Sequence, residues 1–287
     1  MDALRSILHI SDVHFGPAHL RDRADGVLAL IAQREPDYVV LSGDLTQRAK
    51  RGQFRQARRF VDQIEPPTLV VPGNHDVPLY RFWERLLAPL GTYRKHFSPE
   101  LEPWFEDEQV ALLGINTAFN FTLTGGRILR SQLQRAADCF AHANASLFRI
   151  AVLHHHLVPP PNSRAPRVLL GASRALHELS EAGVDLVLAG HLHRSFLALA
   201  ESQSDGGRSM TILHAGTTTS SRGRDEERGE NTCNWIEVGR TETVITSLRW
   251  DRGSVGGGGF VETRHHRSLR RSIVEGGQPP ADGKASP

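Results

Sequence analysis

At 287 residues with 39% hydrophobic side chains, the chain can bury the core of one large domain or of two small ones. Its two cysteines, Cys139 and Cys233, are too few for a disulfide scaffold or a cysteine zinc site and suit a reducing compartment, and no apolar run approaches membrane-spanning length. A first strand beginning near Ser6 leaves no room for a signal peptide, so a cytoplasmic location is expected. Fifteen histidines against a net charge of +2 ask for a use beyond surface filling, metal binding first.

Ser6 to Ile10 reads as a strand ending in Asp12-Val13-His14. Residues two apart in extended backbone point the same way, so both side chains are expected to reach one ion. Leu20 to Ala32 follows as an amphipathic helix that buries Val27, Leu28, Leu30 and Ile31. Tyr38 to Leu41 is a second buried strand, delivering Gly43-Asp44. From Gln53 to Ile64, Phe54, Ala57, Phe60, Val61 and Ile64 fall at helical spacing, and the basic residues Arg48, Lys50, Arg51, Arg55, Arg58 and Arg59 read as a solvated face in preference to a phosphate-binding surface. Thr68 to Val71 is a third strand, stopped by Pro72-Gly73. Gly73 permits a tight turn that brings together an amide oxygen (Asn74) to ligate a cation, an imidazole (His75) to move a proton and a carboxylate (Asp76) to orient it. Leu79 to Leu87 is helical and aromatic-rich, with Phe82 and Trp83 expected in the core.

Val110 to Ile115 forms a fourth strand, and Ser131 to Ala143 a helix capped by Ser131 with Cys139 as a small core residue. Phe148 to Leu153 is a fifth strand, ending in His154-His155-His156. Three consecutive imidazoles cannot share one face, so one or two of them point into any site. The stiff Val158 to Asn162 segment is placed to wall a pocket beside them. Ser173 to Ala182 is a helix closed by Gly183, and Val184 to Ala189 a strand that delivers His191 and His193, a second same-face pair. Met210 to Leu213, Trp235 to Val238 and Thr243 to Trp250 are strands without intervening helices, hence expected to be antiparallel, and His214 to Ser220 approaches the site. Beyond Asp251 the chain turns Gly-rich, then basic (Arg264 to Arg267), then Gly/Pro-rich. Residues 252–287 are therefore expected to be a flexible tail on a domain of residues 1–251.

Five strand ends thus carry Asp12 and His14, Asp44, Asn74 and His75, His154, and His191 and His193. In this order, with Asp-x-His, Gly-Asp, Gly-Asn-His-Asp, a strand-terminal His and Gly-His-x-His each after a hydrophobic run, the chain resembles the calcineurin-like metallophosphoesterases over most of residues 6 to 220. The resemblance implies an α/β fold, a four-layer α-β-β-α sandwich of two mixed sheets. It implies Asp12, His14 and His193 on one metal and Asn74, His154 and His191 on another, with Asp44 bridging and His75 facing the substrate, where it would act as general acid or as a donor to the developing oxyanion. Asp76 would fix the His75 tautomer from behind. Many relatives have His-Pro after the strand-terminal histidine. Here the run His154-His155-His156-Leu157 leaves open which imidazole is the ligand, and His154 is chosen because it leaves the strand first.

Two cations about 3.5–4 Å apart can share a hydroxide, lower its pKa and clamp a phosphoryl group for in-line attack. A nitrogen- and oxygen-rich shell without thiolate suits manganese, iron(II) or zinc. Two divalent ions less Asp12, Asp44 and the hydroxide leave a single positive charge, which matches one phosphodiester anion. The expected activity is that of a binuclear metal-dependent phosphodiesterase of the compact class that includes cyclic nucleotide phosphodiesterases, acting on a phosphate ester. The alternatives are a lipid-linked pyrophosphate or glycerophosphodiester hydrolase, a DNA nuclease and a metal-stabilised scaffold. Nucleic acid is not favoured as a partner, since no added DNA-binding region is evident.

Overall fold

The computed structural model describes residues 3–120, 125–161, 168–200, 209–253 and 258–269. In β1 (Ala3–Ile10) successive side chains leave opposite faces: Ile7 enters one apolar cluster, Leu8 and Ile10 another. The same alternation in β6 (Phe148–Val152) sends Ile150 and Val152 inward to meet Ile7 and places Ala151 on the outer face. The inward residues of two sheets therefore form a central apolar layer, with Val40, Leu69, Leu112, Leu188 and Ile236 among its members.

The first sheet runs β12-β11-β10-β1-β2-β3, where β2 is Tyr38–Leu41, β3 Thr68–Val70, β10 Thr232–Gly239, β11 Glu242–Asp251 and β12 Gly259–Leu269. The second runs β4-β5-β6-β7-β9-β8, where β4 is Trp104–Glu106, β5 Val110–Gly114, β7 Leu186–Ala189, β8 Phe196–Ala200 and β9 Met210–His214. Both sheets mix parallel and antiparallel pairs. On the outer face of the first sheet, α1 (Arg21–Arg34) and α2 (Arg51–Val61) bury Val27, Leu30, Phe54 and Phe60. On the second, α5 (Arg130–His142) and α6 (Ala172–Glu181) bury Leu133, Phe140, Ala175 and Leu179. Two short helices, α3 (Phe82–Leu87) and α4 (Gly91–His96), cross between the halves of the chain. The four-layer α-β-β-α sandwich expected from the sequence is the fold observed. Among the described residues no helix is long and apolar enough to cross a membrane.

Four expectations change. Phe82 and Trp83 are 64% and 70% exposed, because the residues before and within α3 are tied down by Arg81 and Arg85 bonding to the Ala49 and Pro78 carbonyls and not by apolar packing. Ser131 lies inside α5 instead of capping it. The Gln132 side chain takes over the end of the helix, accepting from Leu129 N at 2.8 Å. The strand expected at Met210 to Leu213 is parallel to β7, and only β8 runs against it. Residues 259–269, assigned from composition to a flexible tail, pair along β11 as β12. An edge strand needs one neighbour's hydrogen bonds and little burial, so its polar, basic sequence is compatible with order. The rest of that segment, 254–257 and 270–287, lies outside the described residues.

Candidate active site

The parallel strands of both sheets end on one side, and crevices at the carboxyl ends of such strands are where α/β sheets bind ligands. The loops after β1, β2, β3, β6 and β7 bring every expected ligand into one buried polar cluster. In its first half, His14 Nε2 faces His193 Nε2 at 3.0 Å, and Asp12 Oδ1 lies 3.1 Å from His193 Nε2 and 3.5 Å from His14 Nε2. In its second half, Asn74 Oδ1 lies 3.2 Å from His154 Nε2 and 3.0 Å from His191 Nδ1. Asp44 spans the two, with Oδ2 3.6 Å from His14 Nε2 and Oδ1 3.4 Å from His154 Nε2.

The backbone in the first half is not the extended chain that an Asp-x-His spacing suggests. Asp12, His14, Asp44, His191 and His193 all have positive φ, between 44° and 74°. Left-handed backbone at non-glycine residues is costly and concentrates at functional sites. Three glycines clear the space around them. A Cβ at Gly73 would strike Asp44 Oδ1, one at Gly43 the His154 ring, and one at Gly190 the Ser11 hydroxyl and Asp12 Oδ2. Gly73 itself has φ −108°, so close approach and not turn geometry requires it.

The imidazoles are aimed by backbone carbonyls. His154 Nδ1 lies 2.7 Å from Ser42 O, His193 Nδ1 2.7 Å from Arg222 O and His75 Nδ1 2.8 Å from Gln47 O, so each ring donates from Nδ1; His154 and His193 present Nε2 to the cluster, and His75 Nε2 faces the Arg222 guanidinium. Burial opposes ionisation of Asp12 and Asp44, but the facing histidines hold both carboxyls well below their usual range. Burial pulls His14 down to about 4. It works against His154 as well, where the Asp44 carboxylate wins and pushes the ring up to about 9.

Several buried polar atoms here have no hydrogen-bond partner, among them Asp12 Oδ1, Asp44 Oδ2 and His155 Nε2. Buried polar atoms are ordinarily paired, so convergent unpaired oxygens beside facing imidazole nitrogens mark a cation site. Donor atoms about 3.0–3.4 Å apart are what a sphere of roughly 2.0–2.1 Å metal-ligand bonds produces. The donor set thus fits two cations sharing Asp44.

A family description, calcineurin-like phosphoesterase, matches residues 5–195. The chain belongs to the calcineurin-like phosphoesterase family. It is 29% identical, over 94% of its length and 86% of the relative's, to the cAMP/cGMP dual specificity phosphodiesterase of Mycobacterium tuberculosis. It is also 29% identical to the 3',5'-cyclic adenosine monophosphate phosphodiesterase of Haemophilus influenzae, over 56% of each chain. In fold it is similar to a purple acid phosphatase from yellow lupin, with a TM-score of 0.65 and 12% identity over 90% of this chain and 53% of that one.

Two details of this calcineurin-like phosphoesterase correct the sequence reading. Asp76 does not orient His75. It accepts from Gly73 N, Leu45 N, Thr46 N and the Thr46 hydroxyl at 2.9–3.1 Å and so pins the β2 and β3 loops together, while the Gln47 carbonyl takes the place beside His75 Nδ1. Burial and the nearby Asp44 push the Asp76 carboxyl up to about 7. Arg48 is not on the solvated face of α2 but beside the His75 ring. Of the three adjacent histidines, His154 makes the contacts to Asn74 and Asp44. His155 turns Nδ1 to the Thr117 hydroxyl at 2.8 Å and stands 4.7 Å from the His191 ring, and His156 stacks against His191 at 5.7 Å. Gln47, Thr117 and Arg222 carry no motif signal, because each serves through a carbonyl, a single hydroxyl or a contact made from a distant loop.

Proposed function

We propose that the chain is a binuclear phosphodiesterase whose substrate is a 3',5'-cyclic nucleotide. The observation that carries the hydrolytic reading is the Asp44 carboxylate with one oxygen turned to each half of a cluster of unpaired donors. Named activities of relatives at 29% identity support the cyclic nucleotide. In this reading Asp12, His14 and His193 hold one ion, Asn74, His154 and His191 the other, and Asp44 both. Two bound divalent ions supply a lowered water pKa and neutralise charge on the phosphoryl group.

The remaining work falls to the protein. His75 sits at the rim, half-buried, with its ring edge-on to His14 at 4.9 Å and its backbone N–H bonded to Asp44 Oδ1 at 2.8 Å. With Nδ1 donating to Gln47 O and Nε2 facing the Arg222 guanidinium at 3.3 Å, Nε2 would give a proton to the leaving oxygen only from the imidazolium form, once Arg222 has turned from it. In a 3',5'-cyclic diester that oxygen is an alkoxide-like leaving group, which needs such a donor. Turnover of 3',5'-cyclic AMP and GMP, a glycerophosphodiester and single-stranded DNA by the manganese-loaded protein tests the reading. The cyclic nucleotides are expected to give the highest kcat/KM. A protein that cleaves another diester and leaves both cyclic nucleotides intact would overturn the substrate assignment.

A further inference from the structure

Of the ten large apolar side chains exposed among the described residues, six lie between residues 79 and 87, running into and through α3: Leu79, Tyr80, Phe82, Trp83, Leu86 and Leu87. Tyr80 is 80% exposed and Leu87 77%, and α3 buries none of its six residues. The helix is anchored by polar bonds, from Arg81 Nη2 to Ala49 O at 2.8 Å and from Arg85 Nη1 to Pro78 O at 3.0 Å. On its outer side Phe82 and Trp83 meet only edge to face, at 5.3 Å. Scattered apolar side chains are normal on a surface, but a contiguous group of this kind marks an interaction face.

The charge around the group selects its partner. Residues 48–96 carry ten Lys and Arg against four Asp and Glu, a net +6, whereas the rest of the chain carries 24 against 28, a net −4. Of the four acids, Asp76 is buried, Asp62 pairs with Arg58, and Glu84 pairs with Arg81 at 2.9 Å. Lys50, Arg51, Arg55 and Arg59 on and just before α2, and Arg94 and Lys95 on α4, are exposed. These helices form one surface with α3. Arg81 reaches the residue preceding Lys50, and the Phe54 ring of α2 lies 5.8 Å from His96 and 6.4 Å from Phe97. A second copy of the chain seated here would set like charge against like charge. Single-stranded nucleic acid would stack on the aromatic faces and leave Leu79, Leu86 and Leu87 unused. Leucines and aromatics together, flanked by Lys and Arg, match the boundary between acyl chains and anionic headgroups.

We propose that this face docks the protein peripherally on an anionic lipid bilayer, the α3 side chains entering the headgroup boundary and the basic residues of α2 and α4 lying over the anionic headgroups. A six-residue helix lies on a membrane and does not cross it, in keeping with the absence of a membrane-spanning helix among the described residues. The Asn74–Asp76 turn ends six residues before α3, a reach of no more than about 22 Å, so docking holds the candidate active site close to the bilayer. None of the docking residues is among the cation donors or His75, and the inference does not rest on the cyclic nucleotide assignment.

The test is co-sedimentation of the full chain, loaded with manganese and freed of excess metal, with vesicles of phosphatidylcholine alone or of equal parts phosphatidylcholine and phosphatidylglycerol. The protein is expected to bind the mixed vesicles, to bind phosphatidylcholine weakly and to come off at high salt. Trp83→Ser combined with Leu87→Ser should weaken binding at least about tenfold while the melting temperature and metal content stay as they are. Arg55→Gln and Arg59→Gln should each cost about fivefold. Tryptophan emission should shift to the blue on the mixed vesicles, and Trp83→Phe, which still binds, should lose that shift, since Trp83 is the exposed indole. Failure of the wild type to bind the mixed vesicles, equal binding to phosphatidylcholine alone, binding that survives the double substitution, or a blue shift that survives Trp83→Phe would each overturn the proposal. Without vesicle binding, a dimer that the double substitution dissolves would assign the face to a second copy, and retention of single-stranded DNA would assign it to nucleic acid. No readout depends on turnover, so docking and the phosphoesterase reading fail separately.

Discussion

Asp12, His14 and His193 all sit in left-handed backbone and are at most 2% exposed, whereas on the other side of Asp44 only His191 has such backbone, Asn74 and His154 do not, and Asn74 and His191 are partly exposed. In the first half the chain itself fixes the donor geometry, at a cost of order 1–3 kcal/mol for each strained residue that the surrounding loops must offset. Thr217, Thr219 and Arg222 supply that restraint through bonds to Asp12 O, Val13 O and the His193 ring. In the second half the donors arrive from three separate elements and meet only through their side chains. The first half is a preorganised, closed nest. The second is assembled and partly exposed at Asn74 and His191, so the two should differ in how firmly they hold a cation.

Asp44→Asn removes the one group common to both halves and should produce the largest effect. Metal content should fall well below two ions per chain, and turnover should fall beyond the roughly 10²–10⁴-fold that loss of a proton donor costs. Elemental analysis showing two firmly held ions in that variant would break the bridging assignment. His75→Ala should come next, at roughly 10²–10⁴-fold. The backbone bond from His75 N to Asp44 survives the substitution, so both ions should stay. The loss should be greatest for esters with alkoxide leaving groups and least for p-nitrophenolate. Equal losses across leaving groups would make His75 a binding residue only.

Asn74→Ala sharpens the contrast between the halves directly. Side-chain changes around a metal typically cost 10–100-fold in affinity, and a ligand lost from the assembled half should cost at least the upper end of that range for one ion while the other stays. Titration of the wild type with a chelator should remove the ions in two steps, and Asn74→Ala should shift only the earlier one. A shift of both steps, or of the later one, would show that the closed half is not the tighter.

The legible part of this molecule is what periodicity and motif order encode. Hydrophobic runs placed β2, β3, β5, β6 and β7 within two residues and β1 with its start three residues late, since burial on both faces leaves an unmistakable apolar stretch, while the short, half-exposed β4 went unread. The order of the Asp, Asn and His residues found the cluster, and the cluster contains them all. Less legible was how they are presented. Spacing of two suggested extended backbone, yet Asp12, His14, His191 and His193 reach one another through left-handed turns that loop hydrogen bonds impose from 200 residues away. Asp76 looked catalytic because it adjoins His75 in sequence, but a 3-10 turn over Asn74–Asp76 sends the two side chains apart. Gln47 and Arg222 act on His75 from other loops, and no local pattern records such contacts.

The smallest effect should come from the region farthest in character from either half. β12 is an edge strand, mostly exposed, joined to the body by its ladder with β11, by Phe260 against Trp250 and by the Arg34–Glu262 ion pair at 2.6 Å. None of its residues is among the donors or the groups bonded to them. Ending the chain at Asp251 removes the ladder partner of β11 and uncovers the Trp250 ring, which also carries Arg23 over its face at 5.0 Å. Exposed ion pairs contribute about 0–1 kcal/mol and a partly buried aromatic contact about 0.5–1.5 kcal/mol. At about 2–4 °C for each 1 kcal/mol in a domain of this size, the melting temperature should fall by several degrees. Turnover and metal content at 25 °C should not change, because the β1 and β10 ladder that positions the Asp12-His14 loop is left intact. An unchanged melting temperature would show that β12 adds nothing to the body of the fold, and a loss of metal would show that the edge strand and the closed half of the site are coupled.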